Sequence, residues 1–155
     1  MSGIAKFVAV SLCLSLCLCW ARTAQAQAQA QVRLIGEIKV ARDAKIIRAG
    51  TEMVASVGTP LAEKDILITG ASGAIGFVLD DNSVITLGPL SLFKMSAFVF
   101  NPAEQKFGLF GEIFSGTMEY ISGKISKIAR DAAKFRTPYT TVAARGTRML
   151  LRGDE

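Results

Sequence analysis

Histidine is missing from all 155 residues, and cysteine is confined to positions 13, 17 and 19. The first absence removes the commonest general base and the commonest transition-metal ligand. The second removes a thiol nucleophile, a thiolate metal site and any disulfide from everything beyond Cys19. Paired carboxylates, a Ser–Lys pair or a Ca²⁺ loop are the chemistries that remain. Asp80, Asp81 and Ser83 offer oxygen ligands, but the spaced acidic pattern and distal Glu of a Ca²⁺-binding loop are lacking. A tight turn accounts for them better. Ser122-Gly123-Lys124 resembles the end of a phosphate loop, yet it has no glycine-rich stretch before it, and Ile125 stands where a hydroxyl residue is needed. No catalytic, metal or cofactor site is therefore expected, and the chain reads as a non-enzyme. Long blocks of one charge are also lacking: the formal +5 is spread along the chain with no run of five like charges. That argues against nucleic acid as a partner and supports at most a modest attraction to acidic envelope surfaces.

What is present begins with an apolar run of about fifteen residues, Phe7 to Ala21, preceded by Lys6. It falls short of the roughly twenty residues that span a bilayer and matches a signal-peptide core. Ala24-Gln25-Ala26 is the first of several small-x-small cleavage sites, with Ala28 and Ala30 as later choices. Cleavage after Ala26 removes all three cysteines along with Lys6 and Arg22, and lowers the formal charge from +5 to +3. An uncleaved anchor is the alternative. A lipid-modified cysteine is disfavoured because Leu12, Leu16 and Leu18 occupy the places that want a small residue. The expected organisation is a cleaved signal peptide over residues 1–26, a flexible Ala/Gln-rich start over 27–33 and one β domain over 34–155. Export makes the periplasm the expected compartment, with no membrane span left after cleavage.

The exported part reads as β-structure. Leu34, Ile38 and Val40 alternate with Glu37 and Lys39, and Gly36 lies on the apolar side, which predicts one buried and one wet face. Ile75, Phe77 and Leu79 form a second such face. Asp80-Asp81-Asn82 then predicts a hairpin turn into a return strand over Ser83 to Leu87. Phe98 and Phe100 end a strand at Asn101-Pro102, and Phe107, Leu109 and Ile113 lie on the next. Fourteen glycines and short apolar runs favour a single compact antiparallel β sandwich or roll with short hairpins. Residues 121–135 leave two readings open. Ile121, Ile125, Ile128, Ala132 and Phe135 recur at helical spacing with Lys124, Lys127, Arg130 and Lys134 around them, as in a minor amphipathic helix. The same residues also read as strand, turn, strand with a bend near Arg130-Asp131.

Three blocks, in order, resemble the periplasmic sensor domain of the FecR family over most of residues 34–151. LAEKDILITGASGA, Leu61 to Ala74, is similar to the family's apolar residue, Gly-Asp pair, strand, Thr-Gly and Ser pattern. LDDNSVITLG, Leu79 to Gly88, resembles its Asp-Gly-Ser hairpin. Thr137 to Leu150 is similar to its closing Thr-Pro, short strand, Arg-Gly-Thr and apolar strand. Lys64 stands where the family has Gly before Asp65, Asn82 where Gly is usual, and Ala143-Ala144 where Gly-Val is frequent. The motif positions carried over are Asp65, Thr69, Gly70, Asp81, Ser83, Thr137, Pro138, Arg145, Gly146 and Thr147.

The resemblance implies an all-β envelope domain without catalysis that relays a signal between envelope proteins. In the best-known arrangement of the family a cytoplasmic segment binds a sigma factor and the periplasmic domain meets an outer-membrane iron-siderophore transporter. Only the periplasmic part is recognisable here, so direct sigma-factor binding is not expected; an unidentified envelope protein is. A binder of polysaccharide, peptide or anionic lipid is the competing reading. The motif residues also have architectural readings. Pro138 holds Thr137 extended, Gly146 permits a sharp turn, and the Arg145 fork can lock that corner onto a carboxylate or carbonyls.

Overall fold

A computed structural model describes residues 32–145 and 148–153. The expected signal peptide and most of the expected Ala/Gln-rich start, together with Gly146 and Thr147, lie outside the described residues. Ten strands and one short helix follow in order: β1 (Leu34–Arg48), β2 (Thr51–Val54), β3 (Pro60–Ala62), β4 (Ile66–Leu79), β5 (Val84–Leu87), β6 (Leu92–Asn101), β7 (Lys106–Ile121), α1 (Lys124–Ile128), β8 (Ala133–Arg136), β9 (Thr141–Ala143) and β10 (Arg148–Gly153). All ten strands belong to one sheet. It curls into a closed, barrel-like roll, so of the two expected all-β architectures the structure adopts the roll.

Two long strands organise that roll. β4 pairs with β1 on one side; on the other its second half pairs with β5 and its first half with β6. β5 and β6 therefore lie end to end, and both pair with β7 across from β4. On the far side of β7, β8 covers the first half and β10 the second. β2 and β3 pair with β1, and β9 pairs with β8. Alternation sends Ile75, Phe77 and Leu79 of β4, and Leu109 and Ile113 of β7, into the core. Phe77 packs on Phe93 with ring centroids 6.1 Å apart, and Tyr120 on Phe135 at 4.8 Å.

β1 departs from the sequence expectation. Leu34 and Val40 are exposed, while Ile35 and Ile38 are completely buried. The cause is irregular pairing: the register against β3 shifts between Leu34 and Gly36, and that against β4 between Ile38 and Val40. Each bulge inserts a residue and reverses which face the following side chains occupy. A strand of 15 residues needs such bends to follow a curled sheet. The hairpin between β4 and β5 falls where the Asp80-Asp81-Asn82 motif predicts, with Asn82 in the left-handed region at φ 65°. β6 ends at Asn101, as Asn101-Pro102 predicts.

Segment 121–135 combines parts of both expectations. Ile121 ends β7, residues 124–128 form the one-turn α1, and Arg130–Asp131 make the turn, Asp131 being left-handed at φ 64°. Ala132 and Phe135 thus belong to β8 and its approach, not to a longer helix. The sheet is mostly antiparallel, as expected, but β8 runs parallel to β7. A parallel partner cannot be reached by a hairpin, and α1 sits in the crossover that reaches it.

Candidate functional site

Asp65 stands at the entry to β4 and is 1% exposed. Its carboxylate accepts from Arg48 Nε at 2.8 Å and Nη2 at 2.6 Å, and from the Ala62 backbone N–H at 2.8 Å. Arg48 Nη2 also donates to the Pro60 carbonyl, 2.8 Å away. Hydrogen bonding to Asp65 is the largest cause holding the guanidinium above its ordinary pKa. The group clamps the end of β1 to the β3–β4 turn. Lys64 in that turn is left-handed, φ 71°.

Thr69 and Gly70 lie at the middle of the sheet, where β5 hands over to β6. The Thr69 hydroxyl donates to the Gly88 carbonyl at 2.7 Å and accepts from the Ser91 N–H at 2.8 Å. Ser91 Oγ in turn donates to Gly88 O and accepts from the Thr117 N–H. At Gly70 a Cβ would meet only the carboxylate end of the exposed Asp43 side chain, which can swing aside, so space alone does not demand glycine here.

Asp81 and Ser83 form the most connected cluster, and both are fully buried. Asp81 accepts from Ser83 N–H at 3.0 Å, Ser83 Oγ at 2.8 Å and Ile125 N–H at 3.1 Å. Because the Ser83 hydrogen goes to Asp81, its oxygen accepts from Gly123 N–H and from the Tyr120 hydroxyl. Tyr120 then accepts from Ser126 at 2.8 Å. The Asp81 carbonyl also takes the Lys124 N–H at 2.7 Å. A carboxylate, a serine and a tyrosine in series look like nucleophile chemistry, but a hydroxyl with no exposed surface meets no substrate. The cluster docks the β4–β5 hairpin onto the start of α1.

Thr137 and Pro138 occupy the β8–β9 turn. Thr137 Oγ1 accepts from the N–H groups of Tyr139 and Thr140 at 3.3 and 3.1 Å, closing the turn locally. Tyr139 at its tip is 79% exposed. Arg145 lies elsewhere and forks onto Asp131: Nε to Oδ1 at 2.5 Å, Nη2 to Oδ2 at 3.0 Å. That hydrogen bonding is the largest cause lowering the Asp131 pKa and raising that of Arg145, and Lys134 and Arg130 add to the lowering. Unlike Asp65 and Asp81, this pair faces solvent. It forms one wall of a cleft of about 430 Å³ lined by Ser126, Lys127, Arg130, Asp131 and Arg145.

The motif residues that are described are therefore not brought together into one site. Of the eight described, six sit in separate inward-facing joints or in the β8–β9 turn, Pro138 is exposed in that turn, and Arg145 alone borders a recess. Sequence reasoning missed Arg48, Ser91 and Tyr120, the partners of Asp65, Thr69 and Ser83. Each is separated from its partner by 17 to 37 residues, and no local pattern marks such pairs. Comparison with protein-family models, with curated proteins and with solved structures returns no match.

Proposed function

We propose that this is an exported, non-enzymatic FecR-like domain that acts in the periplasm as a protein-interaction or signal-transduction module. The observation that carries this reading is backbone geometry at two positions where the sequence departs from the family pattern. Lys64 and Asn82 stand where that pattern has glycine, and both are left-handed, with φ 71° and 65°. Glycine takes that conformation without strain, whereas Lys pays a steric penalty. The turns thus have the shape that the family's glycines would serve.

The buried chemistry of the motif residues supports an architectural role for them, since Asp65, Thr69, Asp81 and Ser83 are consumed in bonds within the fold. Recognition is then left to the surface. β10 has a strand partner on one edge only among the described residues, and its Leu150 is 72% exposed. An extended segment of another protein can add to such an edge. In vivo crosslinking of the tagged chain, followed by pulldown from the cell envelope, tests the reading. Recovery of a specific envelope protein is expected; recovery of polysaccharide or lipid alone would replace it with a surface-binding role.

A further inference from the structure

From the cleft beside α1 we infer a binding site for acidic side chains, and we assign to it a carboxylate-rich segment of the partner protein; this rests on the protein-interaction reading above. Lys127 and Arg130 line the cleft, and neither has a hydrogen-bond or ion-pair partner among the described residues. Among the described residues the one acid in the lining, Asp131, is already forked by Arg145 and lies within the fields of Arg130 and Lys134 as well. Positive charge therefore exceeds negative charge inside a recess, where low-dielectric walls focus the field toward an incoming anion. The fork on Asp131 also fixes the guanidinium of Arg145, so its place in the wall is set before a partner arrives. All five described lining residues are polar or charged. Insertion into a lipid surface instead favours a broad apolar face beside the cations, and the five-residue α1 offers only Ile128 as a large exposed apolar side chain. Carboxylates fit these donors at the scale of the recess.

The test is fluorescence anisotropy of a labelled oligoglutamate peptide with the purified chain, beside oligoglutamine, inorganic phosphate and vesicles containing anionic lipid. Oligoglutamate should bind, weaken as salt rises, and shift the amide resonances of Ser126 to Asp131; oligoglutamine should not bind. Exchanging both cations, Lys127→Gln with Arg130→Gln, should weaken binding by at least about tenfold. It should leave the melting temperature nearly unchanged, because neither side chain has a hydrogen-bond or ion-pair partner among the described residues. Lys39→Gln with Lys45→Gln removes the same charge from β1 and should leave binding intact. Equal weakening by that control pair, or vesicles binding through Lys127 and Arg130 while oligoglutamate does not, would overturn the assignment. The envelope pulldown separates the two readings. A partner captured equally well by the Lys127/Arg130 variant overturns the cleft alone, whereas absence of any captured protein overturns the interaction module.

Discussion

Asp65 and Asp81 are both buried carboxylates, yet they are held in different ways and should fail differently. Asp65 faces a full opposite charge. Replacing Arg48 by Met leaves an unpaired buried anion, which should cost about 3 kcal/mol in urea unfolding, the low end for buried pairs because Arg48 is partly exposed. Adding Asp65→Asn to that variant should recover part of the loss. Asp81 has no cation against it among the described residues and rests on donated hydrogen bonds. Asp81→Ala strands the Ile125 and Ser83 donors and should cost about 2–4 kcal/mol by the same measurement. The left-handed turns predict opposite signs from these. Lys64→Gly should stabilise by about 1 kcal/mol by removing the Cβ penalty, while Asn82→Gly should be near neutral, because Asn tolerates that region.

At the level of elements, the joint between the β4–β5 hairpin and α1 rests on a close backbone approach. Gly123 has an ordinary negative φ, but a Cβ there would meet the backbone of Asp81, Asn82 and Ser83. Gly123→Ala should therefore destabilise by about 1–3 kcal/mol through overpacking, with thermal unfolding as the check. The element-level reading from sequence was strongest where a stretch of strand keeps unbroken alternation up to a turn. Ile75, Phe77 and Leu79, the Asp80-Asp81-Asn82 turn and the end at Asn101-Pro102 all lie where periodicity and turn chemistry place them. It failed on β1, because a bulge leaves no mark in composition and moves Val40 from one face to the other. It was undecided over residues 121–135 because α1 is a single turn and its apolar residues serve a strand pattern equally well. The cleft was legible only in part: the basic residues from Lys124 to Lys134 were visible as a group, but the approach of Arg145 to Asp131 is a tertiary event.

For the whole molecule, one small acid-dependent loss of stability should come from the exposed corner where Arg145 meets Asp131. The folded pKa of Asp131 lies below its ordinary value of 3.8. Its contribution is thus present above 3.8 and is lost as pH falls through the lowered folded value. Asp131→Asn should reduce stability slightly at neutral pH and match the parent once the pH lies below that window; a gap that persists there would assign the loss to packing. The pair is exposed, so the effect at any pH should be far smaller than that of Arg48→Met.

The parallel pairing of β8 with β7 also has a consequence in time. Hairpin neighbours such as β1 with β2 or β6 with β7 can zip up from their turns, but β8 must wait for a crossover, and long-range closure comes before any reward. The Asp81–Ser83 cluster joins the β4–β5 turn to that same crossover across some 40 residues of chain. Its bonds should therefore form after the rate-limiting step. Ser83→Ala should then speed unfolding while leaving refolding nearly unchanged in a stopped-flow series. A variant of this kind would reach the native state on schedule and lose it early, a defect of lifetime that a refolding-yield assay would not detect.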